Sequence, residues 1–291
     1  MKFSIRLRLC LLLIAIAFGL FASAQNPEPP KERPNDKIVR ILAIGNSFSQ
    51  DAIEQYFYRL AAADSIEVIV GNLYYGGCSL QQHWQFVVDD KPVYEYRKIE
   101  KGVKVNTPHM TLKEVLADES WDYVSFQQAS HDSGLPSTYV PYLSKLMNYV
   151  KKGVRNDTKF MFHMTWAYAA DSKHPGFKNY RNSQSAMYNA ILSATQKALK
   201  LEKFDILIPC GTAIQNARTS KIGDKFCRDG YHLQLTYGRY TAACTWFEAI
   251  FKKSAIGNKF APRGVSEYQK KTAWTAAHNA VKYPFKITPV K

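Results

Sequence analysis

Acidic residues are scarce in this chain: 24 Asp and Glu stand against 39 Lys and Arg, a formal charge of +15 over 291 residues. Basicity on this scale suits nucleic acid, an anionic membrane surface or an anionic glycan. Zinc-finger, homeodomain and RNP patterns are all missing, and the basic pairs Lys151-Lys152, Lys252-Lys253 and Lys270-Lys271 are scattered. A nucleic-acid partner is therefore not expected. Cysteine is sparse as well, five residues without a CxxC pair or a His/Cys cluster, so nothing suggests zinc, and no cofactor is expected. Internal repeats and low-complexity tracts are absent, which excludes solenoid and fibrous chains. What is present is 46% hydrophobic and 13% aromatic content, enough to offset the entropy of ordering a large domain or two small ones.

The apolar run Leu9 to Phe21 is too short to span a membrane comfortably, and Lys2, Arg6 and Arg8 precede it. It ends in Ala22-Ser23-Ala24, the small-x-small pattern of a cleavage site, so residues 1–24 read as a signal peptide. Export to the periplasm or outside follows, with no stable membrane span after cleavage. Cleavage lowers the formal charge by three. Cys10 follows Arg8 and Leu9, where a lipobox needs small residues, so no lipid anchor is expected. Cys78, Cys210, Cys227 and Cys244 remain, compatible with disulfides in an oxidising compartment or with buried free thiols.

Residues 25–37 are Pro-rich and charged and read as a linker. The spacing of apolar residues then predicts alternation. Strands are expected at Ile38 to Ile44, Ile66 to Val70, Tyr123 to Gln127, Phe160 to Met164 and Ile206 to Ile208. Helices are expected at Asp51 to Ala63, Ser79 to Val88, Leu112 to Ala117, Tyr142 to Val150, Ser183 to Leu201 and Leu235 to Phe251. A polar, Tyr-rich hairpin is inserted between Val93 and Val105. Strands separated by helices predict a mainly parallel sheet in a three-layer α/β/α sandwich over residues 38–252. Residues 253–291 add a helix, Ser266 to Val281, and an extended tail on the same domain.

In such sheets the chemistry gathers beyond the C-terminal strand ends. The first strand is followed by Gly45-Asn46-Ser47-Phe48-Ser49, the second by Tyr75-Gly76-Gly77-Cys78-Ser79, and the third runs into Gln127-Gln128-Ala129-Ser130-His131. Arg228-Asp229-Gly230-Tyr231-His232 precedes the last long helix. Separately, each is ordinary turn chemistry. Together they hold what acyl transfer requires. Ser47 would be the nucleophile, His232 would take its proton and Asp229 would orient the imidazole. The N–H groups of Ser47 and Gly77 and the amide of Gln128 would form an oxyanion hole.

This constellation resembles the SGNH (GDSL-type) hydrolase superfamily, and within it a secreted bacterial branch that begins Gly-Asn-Ser-Phe-Ser. The resemblance runs from about Val39 to Phe251. It implies a flavodoxin-like SGNH hydrolase fold, nucleophile Ser47, oxyanion-hole Gly77, and the Asp-x-x-His pair Asp229 and His232 in a shallow site that needs no metal. Two positions depart from the family pattern. Asn46 stands where Asp is usual, and Gln127-Gln128-Ala129-Ser130 replaces the third block. Carbohydrate-acetylesterase relatives carry Gln there, so Gln128 is expected to face the site, with Gln127 as the alternative because side chains alternate along a strand.

Met161 to Tyr168 is rich in rings, and His163, Trp166 and Tyr168, with Asn46, Gln127 and His131, are candidate substrate-binding residues. Tyr75, Tyr94 and Tyr96 would add an aromatic wall. The expected function is an exported serine esterase acting on an O-acyl, chiefly acetyl, ester of a carbohydrate or glycoconjugate. A lipid or short-chain ester is the nearest rival, although no amphipathic lid helix is evident. An inactive glycan-binding relative of the fold is a further alternative.

Overall fold

The computed structural model describes residues 26–291. The signal peptide expected over residues 1–24 lies outside the described residues. Residues 28–37 run exposed along the surface, and the sheet begins at β1 (Val39–Gly45). Its last six residues are buried, as a hydrophobic strand covered on both faces requires. Then come α1 (Ser47–Ile53), α2 (Phe57–Ala63), β2 (Val68–Tyr74) and α3 (Leu80–Val88), followed by the hairpin β3 (Tyr94–Glu100) and β4 (Val103–Met110). Next are α4 (Leu112–Asp118), β5 (Tyr123–Phe126), α5 (Tyr142–Gly153), β6 (Lys159–His163), α6 (Gln184–Leu201) and β7 (Ile206–Ile208). The chain closes with α7 (Cys210–Arg218), α8 (Tyr237–Phe251) and α9 (Glu267–Lys282).

The seven strands form one sheet in the order β4-β3-β2-β1-β5-β6-β7. β2, β1, β5, β6 and β7 are parallel, and the hairpin continues the sheet antiparallel beyond β2. Helices cover both faces: α1, α2, α7, α8 and α9 pack among themselves, and α5 packs on α3 and α4. The architecture is the expected α/β sandwich with a mostly parallel sheet. The register sets Gly45 beside Tyr74, Ile44 beside Phe126, and Phe126 beside Phe162. The segments leaving β1, β2, β5 and β6 therefore emerge at one level, and their loops converge.

Three local expectations change. The helix expected over Asp51 to Ala63 is two helices with a break at residues 54–56, and the first already starts at Ser47 because Asn46 caps it. A helix not expected, α7, follows β7; nearly every residue of it is buried, leaving no polar face to mark a helical period. Tyr94 and Tyr96 are buried against the sheet rather than lining a pocket. The C-terminal tail is tied to α7 by Thr288 N–H donating to Asn216 Oδ1 (2.6 Å) and Val290 N–H to Thr219 Oγ1 (2.8 Å). Cys78, Cys210, Cys227 and Cys244 are all free thiols. Burial raises the thiol pKa of each, that of Cys227 to about 11. No helix of the described residues is long and apolar enough to cross a membrane.

Candidate active site

Ser47 is half-exposed between two buried neighbours, Asn46 and Phe48, at the turn from β1 into α1. Asn46 makes that turn. Its Oδ1 accepts from Phe48 N–H (2.9 Å) as the helix cap and from Gln127 Nε2 (2.8 Å), while its Nδ2 donates to the Cys78 carbonyl (3.0 Å). A carboxylate could not make that last bond, so the amide at position 46 has a physical reason: it ties the Ser47 turn to the loop carrying Gly77. Gln127 is held in turn by His163, whose Nδ1 donates to Gln127 Oε1 (2.8 Å). His163 is fully buried, and its pKa falls to about 3 through burial. This row of buried polar groups fixes the turn from below.

Asp229 and His232 lie in the loop before α8. The Asp229 carboxylate turns the chain back on itself, with Oδ1 accepting from His232 N–H (2.8 Å) and Tyr231 N–H (3.2 Å), and its Oδ2 lies 2.7 Å from His232 Nδ1. Burial pushes the Asp229 pKa up, but the hydrogen bonds from the His232 ring and from the two amides outweigh it and hold it below the ordinary value. With Nδ1–H donating to Asp229, Nε2 is left with its lone pair, able to accept a proton. Gly230 has φ +88°, and a Cβ there would approach the Ser172 backbone within 2.8 Å, so this turn requires glycine.

Two anchors hold the loop against the Ser47 turn. Trp166, buried, donates Nε1–H to the Tyr231 carbonyl (2.8 Å) and stacks on Phe48 with ring centroids 4.3 Å apart. Asp51, one turn beyond Ser47 and 1% exposed, accepts from Leu233 N–H (2.6 Å), Arg228 Nη1 (3.2 Å) and Arg239 Nε (2.9 Å). The helix bearing Ser47 is thus locked to the segment bearing Asp229 and His232. The sequence reading missed Asp51, whose partners lie about 180 residues away.

Ser47, Gly77, Ser130, His174, Tyr231 and His232 bound one cleft of about 430 Å³. No hydrogen bond joins Ser47 to His232 within it; the two side chains share the cleft wall. Gly77, at φ +65° with open space around its α-carbon, presents its N–H without a hydrogen-bond partner among the described residues. A wider concavity of about 570 Å³ between Tyr56 and Phe260 includes neither Ser47 nor His232.

The third block differs from expectation. Gln128 Nε2 donates to the carbonyl and hydroxyl of Thr138 (both 3.0 Å), and Oε1 accepts from Leu80 N–H and Ala129 N–H. Its two amide hydrogens are spent on holding the loop, which does not fit the role of oxyanion donor. Gln127 turns the other way, its Nε2 donating to Asn46 and its Oε1 accepting from His163. Among the candidate substrate-binding residues, His131 borders the cleft, whereas Asn46, Gln127, His163, Trp166 and Tyr168 are buried behind it. Tyr74, Ser130, His174 and Tyr231 take their place on the wall. No grouping of His, Cys, Asp and Glu suited to a metal ion occurs among the described residues.

Fold and site together define an α/β domain with a Ser, a Gly and an Asp-x-x-His pair at the C-terminal edge of a parallel sheet. Residues 40–280 match the family described as Domain of unknown function (DUF4886), and the chain belongs to that family. A DUF4886 family protein from Bacteroides uniformis, known as a crystal structure, is 51% identical, with 87% of this chain and 98% of that one covered at a TM-score of 0.86. A presumed SGNH hydrolase from Slackia heliotrinireducens has the same fold at 21% identity, with a TM-score of 0.51 over 73% of this chain and 99% of that one. Among curated proteins none matches.

Proposed function

We propose that the protein is an exported serine esterase of the SGNH type that removes an acyl group, chiefly acetyl, from a carbohydrate or glycoconjugate. The observation that carries this reading is the meeting of Ser47, the Gly77 turn and the Asp229-held His232 in one cleft. His232 Nε2 takes the proton as Ser47 Oγ attacks the ester carbonyl. The developing oxyanion is met by the N–H groups of Gly77 and of Ser47, the latter at the start of α1. His232 then protonates the departing alcohol, and a water deprotonated by the same ring releases the acyl group from Ser47. The rings of Tyr74, His131, His174 and Tyr231 on the cleft wall suit the faces of a sugar. Export rests on the leader-like residues 1–24.

A glycan-binding relative without turnover is the second reading, favoured by the missing Ser47–His232 hydrogen bond and by the commitment of Gln128. Hydrolysis of 4-nitrophenyl acetate separates the two. The esterase reading expects turnover that Ser47→Ala abolishes without changing the circular dichroism spectrum. Wild-type protein without turnover, or a Ser47→Ala variant that keeps it, overturns the reading.

A further inference from the structure

On the far side of Ser47 from Gly77 stands a histidine whose hydrogen bonds define its donor. His174 Nδ1 accepts Gly176 N–H (3.0 Å) and lies 3.3 Å from the Tyr168 hydroxyl. An amide N–H can only donate, so Nδ1 carries the lone pair, and the proton of the neutral ring sits on Nε2. Burial, and then the neighbouring rings of His131 and His232, lower the His174 pKa below the ordinary imidazole value. The ring is therefore neutral at neutral pH. Its Nε2–H has no acceptor among the described residues, although the ring borders the cleft.

Position decides which part of an ester this donor meets. Along the sheet, Gly77 follows β2, Ser47 follows β1, and His174 lies after β6, on the opposite flank. The oxyanion belongs on the Gly77 side. The departing alcohol must lie on the His232 side, because His232 returns the proton to it. His174 sits there too: its ring meets Tyr231 edge-on at 4.8 Å, and Tyr231 lies 4.1 Å from the His232 ring. The His131 ring stacks behind at 6.0 Å.

We propose that His174 determines the specificity for the alcohol half of the ester, its Nε2–H donating to a hydroxyl or ether oxygen of a sugar. An alkyl or aryl alcohol without such an oxygen leaves this donor unpaired and is discriminated against. The inference rests on the esterase reading.

The test compares kcat/KM for glucose pentaacetate and 4-nitrophenyl acetate, which deliver the same acyl group from different alcohols. In His174→Phe the ratio of the two values should fall about tenfold, the worth of one hydrogen bond. His174→Asn retains an acceptor for Gly176 N–H but falls short of the Nε2 position, and should lose the preference equally. His174→Gln can carry an amide N–H out to that position and should restore part of it. Losses in parallel on both substrates, no loss on either, or full sugar-ester activity in His174→Asn would each overturn the proposal. So would a wild-type protein that cleaves only the nitrophenyl ester. A wild-type protein inert toward both esters sinks the esterase reading itself, and this inference with it.

Discussion

Replacing Asp51 by Ala should damage this protein more than any surface change of the same size. Its carboxylate is 1% exposed and faces two guanidinium groups and a backbone amide, all from the segment that carries the candidate acid–base pair. Removing it leaves Leu233 N–H buried without an acceptor, at about 1–3 kcal/mol. It also leaves Arg239 and Arg228, with side chains 14% and 33% exposed, without their counter-charge. Breaking a buried pair from one side costs about 3–5 kcal/mol, and water reaching Arg228 argues for the lower figure. For a chain of this size each kcal/mol corresponds to roughly 2–4 °C in Tm, so Asp51→Ala should melt at least ~6 °C below wild type. Hydrolysis should suffer beyond the loss of folded protein, because a 1 Å displacement of a reacting group costs about a hundredfold. Thermal denaturation by circular dichroism, paired with kcat measured well below the melting range, reads both effects. A stability loss under about 1 kcal/mol with unchanged kcat would refute the argument that Asp51 locks the two halves of the site together.

Asp229→Asn removes the carboxylate that selects the His232 tautomer and should lower kcat by roughly 10²–10⁴ while leaving KM within a few-fold, as steady-state kinetics will show. Asn46→Asp turns a donor toward the Cys78 carbonyl into a carboxylate oxygen, and chemical denaturation should find a loss of about 1–3 kcal/mol. His83 and His163 are buried, and burial holds both near pKa 3 against an ordinary value of 6.5. Between those values the unfolded chain binds more protons than the folded one, so the stability these two residues contribute is complete above pH 6.5 and declines as pH falls toward 3. At pH 5 the loss relative to pH 7 amounts to roughly 2 kcal/mol per histidine. Replacing His83 by Phe should flatten urea-derived stability against pH over that window; an unchanged slope would count against the buried neutral ring.

The legible part of the site is local in sequence. Asp229 and His232 are three residues apart, close enough for one turn to bring carboxylate and imidazole together, and Ser47 and Gly77 each sit in a loop directly after an apolar run. Position 174 has no such signature. It lies in an irregular segment, and its hydrogen-bond character depends on an amide two residues on, with its placement set by packing against Tyr168 and Tyr231. Alternation along the strand sends Gln127 and Gln128 to opposite sides, and only the fold shows what each side meets. Gln127 turns to Asn46 and His163, Gln128 to the start of α3 and to Thr138. Likewise Trp166 and Tyr168 read as pocket walls because aromatic residues serve core and binding site equally well. Only their burial tells them apart.

The sequence by itself determined the α/β sandwich, through apolar periodicity that sends each strand to the middle and each helix to a face, and it singled out Ser47, His232 and Asp229 as the candidate nucleophile, base and carboxylate partner. Only the tertiary structure decided which polar groups remain free for a ligand. A hydrogen-bonding side chain becomes functional or structural according to whether the rest of the chain has already satisfied it, and the groups that satisfy Gln128, Asn46 and Asp51 come from distant segments that folding alone brings within 3 Å.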